Sequence, residues 1–323
     1  MSAGKVDVLI YGPSKPVVDG GFTDDFVLHK FNNHHDLSRL GADVANRIRG
    51  VAVTGLVQAD RVMLSRFPKV EIVSSFGVGY DHIDTNYAID RNIVVTNTPD
   101  VLTEEVADVA LGLLIATLRE FIKADRYLRS GHWMAQNFPL SAGSLRDRTV
   151  GMVGMGRIGQ AIARRLDASL VPVVYHSRNP AKDVGYKHHP KLIDMAKDVD
   201  TLIAITPGGP STAKMINAEV LKALGPRGVL INVARGSVVD EEALIAALKD
   251  GTIMAAGLDV FANEPNVPAA LGALQNVVLL PHIASASVTT RNAMDKLVVD
   301  NLLAWFGGKP PITPVPETPP KGR

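Results

Sequence analysis

The 323-residue sequence contains no cysteine. Disulfide bonds, cysteine-ligated zinc and thiol catalysis are therefore excluded together. A charge excess is missing as well, because 34 Lys and Arg residues are balanced by 33 Asp and Glu residues and the formal net charge is +1. Since the sequence also has no Lys/Arg run, we expect no binding of nucleic acid or of an anionic membrane surface.

Long hydrophobic runs are absent too. The longest apolar helical stretch, residues 109–118, is far shorter than the roughly 20 residues that span a bilayer. The apolar start of the chain stops at Gly12 and Pro13, so it is too short and wrongly flanked for a secretion signal. We expect a cytoplasmic protein that does not associate with membranes.

What is present is an ordinary globular composition, 46% hydrophobic and 21% charged, in a chain longer than one typical core. Short apolar, β-rich runs alternate with helical patterns in two series. The runs lie at residues 6–11, 51–54, 72–75 and 93–96, and then at 149–153, 172–176, 201–206, 229–233, 253–258 and 277–280. Nearly continuous apolar strands are typical of parallel sheets covered on both faces. The pattern predicts an α/β protein with two doubly wound, Rossmann-like domains.

A long helical pattern at residues 103–130 separates the two series. Thr103 is its expected N-cap, and Gly131 is expected to end it. A last helix is predicted at about 288–306, after the second series. We therefore expect the chain to cross between domains twice: residues 1–100 plus 287–323 form one domain and residues 101–286 the other.

The end of the chain, residues 309–323, carries six prolines. Such a segment does not fold by itself. We expect it to be solvated or draped over the surface, although it could also bind a partner domain.

A glycine-rich turn, GMGRIG at residues 154–159, follows a predicted strand and opens a predicted helix. In this context the first glycine permits a tight turn, the second lets a pyrophosphate approach the backbone, and the third lets helix and strand pack closely. The helix N-terminus adds N–H donors and a positive dipole. The pattern predicts dinucleotide binding by Gly154, Gly156, Arg157, Ile158 and Gly159.

The next predicted strand ends in His176, Ser177 and Arg178. An Asp or Glu usually stands there when a site prefers NAD, because it accepts hydrogen bonds from the ribose 2′-hydroxyl. Here Ser177 can donate to a 2′-phosphate and Arg178 can pair with it. We expect NADP(H) to be preferred and NAD(H) to remain possible; alternatively, Arg178 is a solvated loop residue.

Three polar residues follow later predicted strands: Arg235, Glu264 and His282. Ligands bind outside the carboxyl ends of parallel strands, so all three are expected at the rim that holds the glycine turn. Hydride transfer to a keto carbon requires a proton donor such as histidine, a cation near the carbonyl or carboxylate, and a carboxylate that favours the imidazolium form. Each residue could instead be structural: a hydrogen-bonded histidine, a salt-bridged arginine or a turn-capping glutamate.

The sequence resembles the D-isomer-specific 2-hydroxyacid dehydrogenases over nearly its whole length. The resemblance rests on GMGRIG at 154–159, NVARG at 232–236, GLDVFANEP at 257–265 and LLPHIAS at 279–285. It implies a flavodoxin-like substrate domain, a dinucleotide-binding domain, and a homodimer formed largely through the latter. It further implies that Arg235 binds substrate, that Glu264 pairs with His282, and that His282 is the acid/base. The other residues that we expect beside the cofactor are Thr103, Thr206, Pro207, Val233, Asp259, His282 and Ala284.

A second glycine turn, residues 75–81, follows a strand of the first series. Its backbone amides can form a concave anion site, because glycine allows close approach. By resemblance, Val78 and Gly79 hold the substrate carboxylate; the alternative is an ordinary turn.

Within the family, the sequence with its NADP-type turn at residues 177–178 looks most like the reductases of glyoxylate and hydroxypyruvate, and this resemblance implies reduction of glyoxylate to glycolate and of hydroxypyruvate to D-glycerate. One alternative is a bulkier keto acid such as phenylpyruvate. An alternative of another class is a corepressor-like protein that senses dinucleotides and can retain the same Arg, Glu and His. No metal is expected, because the adjacent pairs His34-His35 and His188-His189 do not direct neighbouring side chains to one ion.

Overall fold

The computed structural model describes residues 4–55 and 57–320, and the chain forms two units. The first unit comprises Met1–Leu102 and Ser287–Arg323, and the second comprises Thr103–Ala286.

The strands of the described residues all lie in two parallel sheets. In chain order they are β1 (Val6–Tyr11), β2 (Phe26–Phe31), β3 (Ile48–Val53), β4 (Ile72–Ser75), β5 (Val94–Thr96), β6 (Val150–Val153), β7 (Val173–His176), β8 (Lys187–His189), β9 (Thr201–Ala204), β10 (Val229–Asn232), β11 (Ala255–Leu258) and β12 (Val277–Leu279).

Helices connect most of these strands. They are α1 (Pro16–Gly20), α2 (His34–Leu37), α3 (Ala42–Ala45), α4 (Arg61–Leu64), α5 (Thr85–Asp90), α6 (Thr103–Leu118), α7 (Phe121–Arg129), α8 (Arg157–Ala168), α9 (Leu192–Asp198), α10 (Ala218–Leu224), α11 (Glu241–Lys249), α12 (Ala269–Gly272) and α13 (Val288–Phe306). Short 3₁₀ turns lie at His132–Met134, Leu145–Asp147 and Gly236–Val238.

The first unit contains a five-stranded sheet in the order β2-β1-β3-β4-β5. This is the flavodoxin-like order, in which the strand sequence reverses beside β1. One face packs on a core that includes Leu9, Val51 and Phe67. The other face carries α13, whose Val298 carbonyl accepts a hydrogen bond of 2.9 Å from the buried Ser74 hydroxyl.

The second unit contains a seven-stranded sheet in the order β12-β11-β10-β9-β6-β7-β8. Its first strand, β6, lies inside the sheet, and the order reverses between β6 and β9. The strand pairs are all parallel. Ligands bind doubly wound sheets at such a reversal point, outside the carboxyl ends of the strands. The prediction of two doubly wound α/β domains is confirmed.

Helices cover both faces of the second sheet. On one face α9, α10 and α11 bury leucines and valines against the strands. On the other face α6 packs against β10, β11 and β12, at one end of the sheet, and Gly257 makes this approach possible. A Cβ at Gly257 would lie 2.6 Å from the Thr117 hydroxyl and 2.8 Å from Leu113 Cγ, so any larger residue would push α6 outward.

The helix predicted at residues 103–130 is interrupted, so the prediction of one helix is wrong. Thr103 is the first helical residue rather than the N-cap, and α6 ends at Leu118. Glu120 then adopts a left-handed conformation with φ 52° before α7 begins. Helix α6 buries one side along the sheet, whereas α7 buries no residue, so the interruption coincides with the end of the packing surface. Gly131 follows α7 with φ 78°.

Two strands were not predicted, and both are edge strands. Strand β2 is only half-buried, and β8 is the polar tripeptide Lys187–His189. The search for continuous apolar runs finds strands that are covered on both faces. An edge strand can form with less apolar surface, which explains why β2 and β8 were missed, whereas the edge strands β5 and β12 are apolar enough to be predicted.

The proline-rich end of the chain packs on the first unit. Thr96 of β5 forms an antiparallel bridge with Pro314, and Val315 is 1% exposed within the core. We expected this end of the chain to be solvated or draped over the surface. That expectation holds for its exposed side chains and not for the buried Val315. The reason is that β5 is an edge strand, and the tail covers its free backbone groups.

Candidate active site

The glycine turn follows β6 at the reversal point of the second sheet. Gly154 has φ +109°, and a Cβ there would lie 2.8 Å from the Ile205 carbonyl oxygen. A Cβ on Gly159 would lie 2.6 Å from the Gly154 oxygen, so this glycine lets α8 sit against the turn. By contrast, a Cβ on Gly156 would meet no atom within 4 Å. The backbone at Gly156, which is the N-cap of α8, is therefore open to a ligand, as a pyrophosphate site requires.

The loop after β9 lies next to this turn. The backbone nitrogen of Thr206 would be 3.1 Å from a Cβ on Gly154. Pro207 follows, and its carbonyl accepts a hydrogen bond of 2.7 Å from the Thr212 hydroxyl. Thr206 and Pro207 therefore share one rim with the glycine turn.

The turn after β7 carries Ser177 and an exposed Arg178. The Ser177 hydroxyl donates to the Asn179 carbonyl at 2.6 Å, and the Ser177 carbonyl lies 3.0 Å from His188 Nε2. His176 Nδ1 lies 2.8 Å from the His189 carbonyl oxygen. Strand β8 thus holds the backbone of this turn and leaves the Arg178 guanidinium at the surface. No carboxylate stands at residues 176–179.

Arg235 is presented by a turn that Asn232 organises. Asn232 ends β10 and is 1% exposed. Its side chain accepts a hydrogen bond of 3.0 Å from the Ala234 N–H and donates one of 3.0 Å to the Arg235 carbonyl. Val233 and Ala234 are buried below the turn, whereas Arg235 is partly exposed.

Gly236 lets the Arg235 turn touch the turn that carries Glu264. A Cβ on Gly236 would lie 1.9 Å from the Phe261 carbonyl carbon and 2.0 Å from its oxygen. Both of those atoms belong to the backbone, so no side-chain rotation can relieve the overlap. Only glycine allows these two turns to pack at this distance.

Glu264 and His282 form a hydrogen-bonded pair. Glu264 Oε2 lies 2.7 Å from His282 Nδ1, and Oε1 accepts a hydrogen bond of 3.0 Å from the Phe261 N–H. The side chains are 23% and 30% exposed, respectively. With Nδ1–H donating to the carboxylate, Nε2 is the ring nitrogen that can exchange a proton with a ligand.

The pKa of Glu264 is lowered. Burial acts to raise it, but the hydrogen bonds from His282 and the Phe261 N–H, together with the charges of His282 and Arg235, outweigh burial. The carboxylate therefore stays ionised at neutral pH and supports a positive charge on the ring. The charge of Arg235 acts on the same group, so the structure brings Arg235, Glu264 and His282 together.

Asp259 fixes the turn of His282. Its Oδ1 and Oδ2 accept hydrogen bonds of 2.7 and 2.9 Å from the N–H groups of Ile283 and Ala284. The Asp259 carbonyl accepts another, of 2.9 Å, from the His282 N–H. His282 has φ 55°, a left-handed conformation that needs such support. Burial raises the pKa of Asp259, and the two N–H groups oppose this rise. Asp259 stays a predicted cofactor residue, and in this structure both of its carboxylate oxygens bind the backbone of the His282 turn.

In the first unit, the predicted anion turn follows β4. The Gly77 carbonyl accepts a hydrogen bond of 2.9 Å from the Thr98 N–H. The Val78 carbonyl accepts one of 2.8 Å from Asn97 Nδ2. In a trans peptide the N–H points opposite to the carbonyl. The N–H groups of Val78 and Gly79 are therefore directed away from Asn97 and Thr98, which leaves them on one side of the turn.

Several residues that shape these sites were not predicted. Gly236, Asn232 and Asn97 act on the backbone of turns that hold other residues. Gly236 and Asn232 flank Arg235 in sequence, so a polar residue at a strand end and a glycine after the arginine could have signalled them. Asn97 lies at the end of a different strand from the turn that it holds, and no local pattern marks it.

Among residues 4–55 and 57–320, no three His, Cys, Asp or Glu side chains are grouped so that they could hold a metal ion. Within the same residues, no helix combines the length and the apolar character needed to cross a bilayer.

Two further predicted cofactor residues belong to the second unit. Thr103 lies at the start of α6, and Ala284 is buried two positions after His282.

Comparison with known proteins identifies the family. Residues 111–284 match the model described as D-isomer specific 2-hydroxyacid dehydrogenase, NAD binding domain. Among solved structures, the NADPH-dependent glyoxylate/hydroxypyruvate reductase from Sinorhizobium meliloti, in complex with NADP and malonate, is 53% identical. Its TM-score is 0.94, and the match covers 99% of each chain.

Two curated relatives agree with this match. Glyoxylate/hydroxypyruvate reductase A of Arabidopsis thaliana is 45% identical over 310 residues, which are 96% of this chain and 99% of the relative. Hydroxyphenylpyruvate reductase of Plectranthus scutellarioides is 46% identical over 271 residues, which are 84% and 86% of the two chains. The chain belongs to the D-isomer-specific 2-hydroxyacid dehydrogenases, a family of NAD(P)-dependent oxidoreductases.

Proposed function

We propose that the protein reduces small 2-keto acids with NADPH, converting glyoxylate to glycolate and hydroxypyruvate to D-glycerate. The observation that carries this proposal is the 2.7 Å hydrogen bond between His282 Nδ1 and Glu264, beside the charge of Arg235. A keto acid needs a proton for its oxygen and a cation for its negative charge, and this group of side chains offers both. The two reductases that match nearly the whole chain support the choice of substrates.

In the proposed mechanism His282 is the acid and Arg235 the cation. When bound, the reduced nicotinamide supplies the hydride. His282 Nε2 donates a proton to the keto oxygen, while Glu264 stabilises the imidazolium form and orients the ring. Arg235 holds the carboxylate or polarises the carbonyl. The backbone N–H groups of Val78 and Gly79 in the first unit bind the substrate carboxylate. In this proposal the first unit serves as the substrate domain and the second as the dinucleotide-binding domain.

The residues proposed to hold the cofactor follow the rim of the second sheet. The glycine turn and the N-terminus of α8 bind the pyrophosphate, supported by the open space beside Gly156. Arg178 binds the 2′-phosphate, and the Ser177 hydroxyl joins it by rotating away from the Asn179 carbonyl to which it donates in this structure. The proposed contacts are Thr103, Gly154, Gly156, Arg157, Ile158, Gly159, Ser177, Arg178, Thr206, Pro207, Val233, Asp259, His282 and Ala284, with Asp259 acting through the backbone of the His282 turn.

NADPH is proposed as the preferred cofactor and NADH as the second choice. The exposed Arg178 and the absence of a carboxylate at residues 176–179 support this order. The relative from Sinorhizobium meliloti is NADPH-dependent. Arg178→Ala should raise the KM for NADPH about tenfold or more, since a charge-assisted contact is lost, and leave the KM for NADH nearly unchanged. Equal changes for the two cofactors would remove Arg178 from this role.

Initial rates with four keto acids test the substrate. Glyoxylate, hydroxypyruvate, pyruvate and phenylpyruvate would each be assayed with NADPH and with NADH. The proposal expects the highest kcat/KM for glyoxylate or hydroxypyruvate with NADPH. A preference for phenylpyruvate would favour the second candidate, a reductase of bulky aromatic keto acids, which the relative from Plectranthus scutellarioides supports. Cofactor binding without turnover of any keto acid would favour a corepressor-like sensor.

We also propose a homodimer formed through the second unit. Helix α7 and the residues after it expose large apolar side chains, which is unusual for a monomer surface. The exposed fractions are 52% for Phe121, 55% for Leu128, 62% for Trp133, 95% for Met134 and 99% for Leu140. Light scattering should give twice the chain mass, and Leu140→Glu with Met134→Glu should reduce it. The proposed location is the cytoplasm, which fractionation of the source cells would test.

A further inference from the structure

We propose that the proline-rich C-terminal segment, residues 313–318, positions the turn of Val78 and Gly79 and thereby sets the affinity for the keto acid. This inference rests on the proposed function, in which that turn binds the substrate carboxylate. The segment would then be part of the substrate site without touching the substrate.

The C-terminal segment is fixed along β5, the edge strand of the first sheet. The Val315 N–H donates to the Val95 carbonyl at 2.9 Å, and the Val95 N–H donates to the Thr318 hydroxyl at 2.8 Å. Both edge-facing backbone groups of Val95 are therefore satisfied by the segment. Val315 is 1% exposed and Thr318 is 6% exposed. The segment is thus an ordered part of the fold.

Thr313 connects the segment to Asn97. The Thr313 hydroxyl donates to the Asn97 carbonyl at 2.6 Å, and the Asn97 N–H donates to the Thr313 carbonyl at 3.3 Å. Asn301 of α13 completes the connection: its side chain donates to the Thr313 hydroxyl at 2.9 Å and accepts from the Thr313 N–H at 3.0 Å. Asn301 is fully buried. The Asn97 backbone is therefore held directly by Thr313, which α13 holds in turn through Asn301.

Asn97 in turn fixes the direction of the proposed carboxylate donors. Asn97 Nδ2 donates to the Val78 carbonyl at 2.8 Å. The peptide plane that contains this carbonyl also contains the Gly79 N–H, which points the opposite way. A rotation of that plane would turn the Gly79 N–H away from a bound carboxylate. Because Asn97 prevents this rotation, the hydroxyl of Thr313 acts on the Gly79 N–H through one intermediate residue.

A second, weaker connection runs through Tyr80, the residue after Gly79. Its hydroxyl donates to Glu317, with distances of 3.0 and 3.2 Å to the two carboxylate oxygens. Burial, followed by the hydrogen bond and charge of Glu317, raises the pKa of Tyr80 to about 12. Tyr80 therefore remains a protonated donor at neutral pH. The pair is at the surface, so we expect it to contribute less than Thr313.

The expected signature is a change in KM for the keto acid alone. A misdirected N–H weakens carboxylate binding in the ground state and the transition state alike, which raises KM and leaves kcat nearly unchanged. Cofactor affinity should not change, because the proposed cofactor residues all belong to the second unit. A merely structural role would instead lower the folded fraction and hence the apparent kcat.

The test uses the full-length protein with Thr313→Val, which removes the hydroxyl while Val315 and Thr318 keep the segment attached. We expect the KM for glyoxylate to rise about threefold to tenfold, the effect of one lost hydrogen bond. The Kd for NADPH, from fluorescence titration, and kcat should both change by less than about twofold. Thr23→Val is the matched control, because its hydroxyl, within the part of the chain that the structure describes, donates to the nearby Asp25 of the same unit.

A double-variant cycle shows whether Thr313 acts through Asn97. Asn97→Ala should raise KM at least as much as Thr313→Val, and the double variant should match Asn97→Ala alone. Additive effects, or an unchanged KM in Thr313→Val, would overturn the inference while leaving the reductase proposal intact. A wild-type protein that reduces none of the four keto acids would overturn both.

Discussion

In the proposed mechanism the two units act on the keto acid with different kinds of chemical groups. In the second unit the reactive groups are side chains, Arg235, Glu264 and His282. In the first unit they are backbone N–H groups of Val78 and Gly79, directed by hydrogen bonds to the neighbouring carbonyls. The side chains supply a proton and a positive charge, whereas the turn supplies only N–H donors that point in a fixed direction.

This difference predicts how each region responds to mutation. A proton donor has no substitute when its side chain is removed, so the effect is on kcat and is large. A backbone N–H stays in place under any substitution other than proline, so other substitutions can disturb only its orientation, and their effect is on KM and is small. Residues that position the reactive side chains should likewise affect mainly kcat, and residues that position the N–H groups of the turn should affect mainly KM.

His282→Ala should produce the largest effect. Loss of the proton donor should lower kcat about 10²- to 10⁴-fold, while the Kd for NADPH should change little because the glycine turn and Arg178 are intact. Single-turnover rates and fluorescence titration measure the two quantities. Normal turnover would contradict the acid/base assignment and with it the contrast between the two regions.

Gly236→Ala should produce the next largest effect. The added Cβ would lie 1.9 Å from the Phe261 carbonyl carbon, so the Arg235 turn must move away from the Glu264 turn. A displacement of about 1 Å in a catalytic group costs on the order of 10²-fold in rate. The measurement is kcat/KM for glyoxylate.

The control for this variant is Gly272→Ala in α12, where a Cβ would meet no atom within 4 Å. Its kcat/KM should stay within about twofold of the wild-type value, since surface substitutions have small effects. If Gly236→Ala behaved like the control, the spacing of the two turns would not matter for the reaction.

The contrast between side chains and backbone also explains what the sequence could predict. The central strands, the glycine turn and the three reactive side chains are each recognisable locally, because a residue type at a strand end implies a chemical role. Two doubly wound parallel sheets follow from the apolar runs, whereas the flavodoxin-like order of the first sheet was expected from the family resemblance. These features can be predicted from residues that lie close together in the sequence.

The unpredicted features depend on residues far apart in the chain. Thr313 and Asn97 are 216 positions apart, and neither residue alone suggests a role. The interruption of the long helix at Glu120 has no proline or glycine to mark it, and it follows from where the sheet stops covering α6. Edge strands β2 and β8 lack the apolar runs of covered strands. Each depends on tertiary packing, which local patterns do not record.

Glu264 should give a smaller effect that depends on pH. Glu264→Gln keeps the shape of the side chain but loses the charge that supports the imidazolium form, and kcat should fall about tenfold at pH 7. Because the pKa of Glu264 is lowered, the wild-type carboxylate stays ionised down to and below the ordinary value of about 4.3. The charge of Glu264 should therefore be present throughout the range from pH 7 to pH 5 and be lost only in stronger acid.

An NMR titration that follows the Glu264 carboxyl carbon of the wild-type protein across this range checks the sign, with Glu264→Gln used to assign the signal. A carboxyl signal that titrated between pH 7 and pH 5 would mean that Glu264 takes up a proton there, which contradicts a lowered pKa. Stability should follow the same direction: the favourable contribution of the ionised Glu264 is present above its unfolded-state pKa and is lost as the pH falls through the folded-state value. Thermal melting of both proteins provides that second measurement.

His188→Ala should give the smallest effect and tests the comparison within the second unit itself. His188 Nε2 lies 3.0 Å from the Ser177 carbonyl, so it holds the backbone of the turn that presents Arg178, as Asn97 holds the turn of Val78. If backbone support acts alike in both units, the KM for NADPH should rise only about twofold to fivefold, with kcat unchanged and the KM for NADH unaffected. A change in kcat, or an effect as large as that of Arg178→Ala, would show that His188 does more than hold backbone. The two regions would then differ in the role of their supporting residues as well as in their reactive groups.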